Sequence, residues 1–173
     1  MCYNNHMKKL IFVNGTMGAG KSAVCKELSE LLPNNVYLDG DWCWNMRPFT
    51  VNEKTKEMVL DNICHLLQNF LRFSGFENII FGWVMQDWSI AQTILSRLDL
   101  CGAAVYSFTL MCSQKTLRAR LEKDIENGLR TEDIVARSIS RLPLYETMPT
   151  EHIATDQLTP KKTAIEIIRK IHG

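Results

Sequence analysis

A chain of 173 residues with 46% hydrophobic content can build one well-buried core and is too short for two ordinary domains, so a single domain over 1–173 is expected. Lys and Arg number 20 against 19 Asp and Glu, and the resulting charge of +1 excludes a global field that would draw the protein to nucleic acid or an anionic membrane. Six cysteines without a Cys-x-x-Cys pair, several inside apolar segments, read as reduced thiols of a cytoplasmic protein rather than a disulfide framework.

Residues 1–6 read as a loose polar leader, with Met7 an equally good start. No early apolar run is long enough for a signal segment or a spanning helix, so a soluble chain is expected. Residues 9–14 form a short apolar run ending in a glycine-rich turn, the pattern of a strand buried on both faces. A helix follows over 20–32 and stops at Pro33, and 36–39 is the second strand. Met58, Ile63, Leu66, Leu67, Phe70 and Leu71 recur at helical spacing, which predicts a long amphipathic helix over 52–73 ended by Ser74-Gly75. A third strand over 78–81, a helix over 89–98, a fourth strand over 103–111 and a charged helix over 114–126 come next. Asn127-Gly128 interrupts that helix. Another begins near Thr131, with Glu132 and Asp133 suited to its positive end and Pro143 marking its limit or a kink. A weak fifth strand over 153–155 leads to a closing helix over 160–171, with Pro160 in its first turn. Strands alternating with helices predict an α/β fold with one parallel sheet covered on both faces, whose ligands gather at the carboxyl ends of the strands.

Gly15-Thr16-Met17-Gly18-Ala19-Gly20-Lys21-Ser22 satisfies G-x-x-x-x-G-K-[ST] directly between a strand and a helix. Such a loop turns consecutive backbone N–H groups toward phosphate oxygens, and the helix N-terminus adds partial positive charge. Lys21 would reach the β and γ phosphates of ATP, and the Ser22 hydroxyl would ligate Mg²⁺.

Leu38-Asp39-Gly40-Asp41 places two carboxylates beside that loop. Asp39 is assigned to the metal and Asp41 to the acceptor hydroxyl, the alternative being a polar turn. The aromatic segment that follows offers Trp42, Trp44, Arg47 and Phe49. They are read either as a wall for a flat acceptor gripped by Arg47 or as anchors to the core. Trp83 and Gln86, after the third strand, would line the same mouth, and Asp87 is a reserve metal ligand. Arg118, Arg120, Lys123, Arg130, Arg137 and Arg141 make 118–141 a suitable lid over transferring phosphate, although Arg118 with Glu122 fits a plain surface pair. His6, His65, His152 and His172 keep no metal-ligand spacing.

The phosphate loop, Asp39-Gly40-Asp41 and the spacing Arg130 … Arg141-Leu142-x-x-Tyr145 resemble the nucleoside monophosphate kinase superfamily, especially its small-molecule branch of shikimate, gluconate and adenylylsulfate kinases and chloramphenicol phosphotransferase. The resemblance implies a five-stranded parallel sheet in the order 2-3-1-4-5. It implies phosphate contacts from Arg130 and Arg141, and Arg120 at the start of the lid against the adenine. It also puts 155–158, including Thr155 and Asp156, near that base. Asp124 stands where adenylate kinases carry a second lid arginine, and the arginine-rich acceptor site of true nucleoside monophosphate kinases is reduced to Arg47 and Arg72.

The expected activity is transfer of the ATP γ-phosphoryl group to a hydroxyl of a small molecule, by a monomer or homodimer with ATP and Mg²⁺. Lys21, Asp41, Arg130 and Arg141 are its catalytic residues. A slow nucleotide-hydrolysing regulator that meets a protein partner through its aromatic segment is the alternative. A nucleoside, nucleotide or nucleic-acid-end kinase is a third reading, and near-neutral charge without a basic stripe argues against the nucleic-acid form.

Overall fold

The computed structural model describes residues 7–172, so the segment expected to be a leader, with Cys2 and His6, lies outside the described residues. Five strands, β1 (Lys9–Asn14), β2 (Asn35–Asp39), β3 (Asn78–Gly82), β4 (Ala104–Met111) and β5 (Glu151–Ala154), form one sheet in the order β2-β3-β1-β4-β5. All four pairings are parallel, with Ile11 of β1 flanked by Ile80 and Tyr106. The connecting helices are α1 (Lys21–Leu31), α2 (Glu53–Arg72), α3 (Trp88–Ser96), α4 (Gln114–Glu126), α5 (Asp133–Ser140), α6 (Leu142–Glu146) and α7 (Pro160–His172).

Alternation along each strand feeds two cores. Ile11, Val13, Ile80, Phe108, Leu110 and Ile153 face Val24, Leu28, Ala164 and Ile167 of α1 and α7. Leu10, Phe12, Ile79 and Phe81 face the opposite way, onto Val59, Ile63, Leu67 and Leu71 of α2 and onto α3. A smaller cluster of Leu117, Leu121, Ile134 and Leu142 joins α4 to α5 and α6 and takes Met17 of the phosphate loop against it. These helices are therefore packed against the loop that follows β1.

Three local features depart from the expected elements. Gly40–Trp44 continues β2 as a 3-10 helix, capped by the Asp39 carboxylate accepting from Asp41 N. The helix after Thr131 is two helices that meet at Arg141, because Pro143 lacks the N–H needed to continue the first and fits the opening turn of the second. The last strand starts two residues earlier than expected and ends one residue earlier, although Thr155 N still donates to Met111 O at 2.8 Å.

Candidate active site

The loop after β1 is shaped by what its glycines touch. Gly15 has φ +145°, and a Cβ there would fall 2.9 Å from the Leu110 carbonyl oxygen; Gly18 has φ +81°, and a Cβ would fall 2.7 Å from Leu121. Buried Asn14 fixes the strand end by donating to Met85 O at 2.8 Å and accepting from Met85 N at 2.9 Å. Gly20 then opens α1 in the left-handed conformation with no side-chain cap, leaving the first-turn amides available to an anion.

A cleft of about 450 Å³ lies over this helix start. Met17, Gly18, Ala19, Gly20, Lys21 and Ser22 line it, together with Asp39, Asp41, Arg120, Asp124, Arg130 and Thr155. Gly15 and Thr16 are buried beneath, where Thr16 Oγ1 donates to Ser138 O of α5 at 3.3 Å. Lys21 Nζ donates to Thr16 O at 3.0 Å. Burial lowers the Lys21 ammonium from its usual 10.5 to about 8 against the pull of Asp41, Cys25 and Asp39, with Arg130 adding to the depression. The unfolded chain therefore binds more protons than the empty folded cleft between about pH 8 and 10.5, and this group makes the free protein more stable as pH rises through that window.

Asp39 is held by donors. Its Oδ2 accepts from Ser22 Oγ at 3.0 Å and Tyr37 OH at 2.9 Å, and its Oδ1 from Asp41 N at 3.0 Å. Asp41 is pushed up from the usual carboxylate range by burial first and by neighbouring Asp39 second, with Lys21, the Trp83 indole and Arg130 pulling it back. Asp39 is thus engaged by three donors, while burial and the neighbouring carboxylate raise the proton affinity of Asp41. Gly40 makes this possible because the Trp83 ring lies where a Cβ would stand, 2.4 Å from its Cγ. Trp83 thus packs under the Asp41 turn instead of lining the cleft.

Arg120 reaches across from α4, its Nη1 donating to Ala19 O at 3.2 Å and Thr155 Oγ1 at 3.1 Å and its Nη2 to Thr155 O at 2.9 Å. It ties the phosphate loop to the end of β5. Leu158, Pro160 and Thr163 complete that end of the cleft, and Val84 the end beside Asp41. Pro160 and Thr163 escaped the sequence reading, although the first turn of a helix after the last strand belongs at the same sheet edge.

Other expected residues lie outside the cleft lining. Asp156 accepts from Ser113 N at 3.0 Å, Ser113 Oγ at 2.7 Å and Thr116 Oγ1 at 2.6 Å, so it braces the start of α4 and is held down at about 2 by those hydrogen bonds. Asp87 caps α3 by accepting from Ser89 N at 2.8 Å. Trp44 packs partly buried against the α2 side of the core and touches Phe49 at 6.0 Å, which is the anchoring alternative. Trp42 meets Tyr37 with tilted rings, centroids 5.5 Å apart, and is 61% exposed, Phe49 is 69% exposed, and Arg47 and Gln86 are exposed. Arg141 sits half-buried where α5 meets α6, near enough to Tyr145 to act on its phenol.

Among the described residues, no three or more His, Cys, Asp or Glu side chains gather as a metal cage. Magnesium asks for less, because it keeps several waters and takes one or two oxygens from protein alongside substrate phosphates. The Ser22 hydroxyl and Asp39 carboxylate, 3.0 Å apart at the phosphate loop, are an oxygen pair that suits it.

Comparison with known proteins agrees with this fold. The family model described as AAA domain matches residues 11–139. Shikimate kinase of Tolumonas auensis is 30% identical over 93% of this chain and 95% of its own length. The tunicamycin resistance protein of Deinococcus radiodurans superposes with a TM-score of 0.69 at 19% identity, covering 95% of this chain and 96% of that one. A gluconokinase from Sinorhizobium meliloti 1021 does so at 0.67 and 15% identity, covering 97% and 94%; both likenesses are of fold. The chain therefore belongs to the AAA domain family of P-loop proteins, within the small-molecule kinase branch that includes shikimate kinase.

Proposed function

We propose that this protein is an ATP-dependent phosphotransferase that moves the γ-phosphoryl group to a hydroxyl of a small, unphosphorylated molecule in a reducing cytoplasm. The observation that carries the reading is the meeting of Lys21, the Ser22–Asp39 pair and the raised carboxyl of Asp41 in one cleft over a helix N-terminus. Loop amides and Lys21 bind the polyphosphate. Asp41 orients the acceptor hydroxyl and takes its proton as that oxygen bonds to phosphorus and the bridging oxygen leaves on ADP. Ser22 and Asp39 would hold magnesium, whose charge offsets that of the phosphates. Arg130 faces the same cleft, and Arg141 would complete the charge around the transferring group once the lid closes.

The charge layout narrows the acceptor. Of the cations that line the cleft, Arg120 is engaged by Ala19 and Thr155, Arg130 by Asp124, and Lys21 belongs to the phosphate loop. Each cation near Asp41 is thus already committed to another partner, which makes that part of the cleft a poor place for a nucleoside monophosphate. Buried free thiols at Cys25, Cys64 and Cys112 support the reducing compartment. ADP release measured across a panel of sugar acids, polyols, nucleosides and hydroxylated antibiotics is expected to rise above the water-only rate with at least one member. Hydrolysis that no acceptor accelerates would favour a nucleotide-driven regulator instead.

A further inference from the structure

The lid contains an acid where the phosphates call for a base. Asp124 lies in the last turn of α4 and lines the cleft beside Arg130, whose Nε donates to its Oδ2 at 3.1 Å. The backbone is built to bring them together. Asn127 ends α4, Gly128 turns with φ +68°, and Leu129 N donates back to Asp124 O at 2.9 Å, which returns the chain so that Arg130 points over its own helix end. Both side chains are about one-third exposed, at 35% and 34%. Arg130 is close enough for its charge to act on Lys21 and on Asp41.

We propose that Asp124 is a positioning residue for Arg130: by engaging Nε alone, it fixes the guanidinium with both terminal nitrogens turned to the γ end of a bound nucleoside triphosphate. The inference rests on the kinase reading above. A long side chain in a lid has many rotamers, and an anchor at Nε removes that freedom before the ligand arrives. A carboxylate this near a polyphosphate repels every nucleotide, so simple electrostatics predicts that its removal tightens both, ATP at least as much as ADP. Positioning predicts a loss that ATP alone suffers.

Equilibrium binding of ATP and ADP with magnesium to the intact chain, to Asp124→Ala, to Arg130→Ala and to the double variant distinguishes the two. Either single change is expected to cut the preference for ATP over ADP roughly tenfold, the scale of one charge-assisted hydrogen bond. The double change is expected to cut it no further, because the residues act as one unit. Alanine is a strong helix former and the position is part-exposed, so folding should persist; Asp124→Asn, which keeps an oxygen for Nε without the charge, should fall between. Tighter binding of both nucleotides with an unchanged or raised preference for ATP, or additive losses in the double variant, would overturn the proposal. A wild-type chain with no affinity for either nucleotide would overturn the kinase reading along with it, and would show as missing binding rather than an altered ratio.

Discussion

Asp41→Asn should slow phosphoryl transfer at least about a hundredfold while ATP still binds, the usual scale for losing a positioned base. Asparagine keeps the shape of the side chain and can still accept from the Trp83 indole, so the turn around Gly40 should survive. It cannot take a proton from the acceptor hydroxyl. Removing a carboxylate that acts on Lys21 also relieves repulsion of the polyphosphate, so ATP affinity should hold or rise slightly. Steady-state kinetics and nucleotide titration on the same preparation separate the effects. Unchanged turnover would remove Asp41 from the acceptor role, whereas a parallel loss of ATP binding would make it a ground-state contact.

Gly18→Ala should cost about 2–4 kcal/mol of stability, combining left-handed strain with overpacking. The methyl group would stand 2.7 Å from Leu121 Cδ2 and 2.9 Å from Leu117 Cδ1 at φ +81°, and both leucines are fully buried. The loop cannot move away easily, because Thr16 is bonded to α5 and Ala19 is bound by Arg120. For a chain of this size the melting temperature should fall by roughly 5–15 °C. Gly20→Ala is the contrast: φ is +99° with nothing within 4 Å of the added carbon, so strain alone applies and the loss should be about 1 kcal/mol. Equal melting shifts for the two variants would mean that the contact under Gly18 does not shape the loop.

The parts of the molecule governed by local chemistry could be read from the chain. Strand periodicity, the phosphate loop and the helix stops at Pro33 and Gly75 are properties of neighbouring residues, and the elements appear where those signals lie. The strand order came from resemblance to a kinase superfamily and is the observed one. What escaped was set by residues far apart in sequence. Trp83 looked like a cleft residue because it follows β3, yet the missing side chain at Gly40 draws its ring beneath the Asp41 turn. Asp156 follows β5 as a base-contacting residue would, yet Ser113 and Thr116, some forty positions earlier, present three donors to it. Asp124 stood out as an acid in a basic lid, but its partner became visible only when Gly128 turned the chain back.

Calorimetric titration of the protein with ATP and magnesium, repeated from about pH 7 to 9.5 in buffers of different ionisation enthalpy, tests the central claim most directly. One nucleotide should bind per chain. Lys21, depressed to about 8 in the empty cleft, should regain its proton under the polyphosphate, so proton uptake should appear above pH 8 and affinity should fall there by up to tenfold per pH unit. Lys21→Arg should bind without that proton uptake. No heat of binding at any pH, or binding by Lys21→Ala as tight as that of the wild type, would contradict the assignment of this loop as the phosphate site.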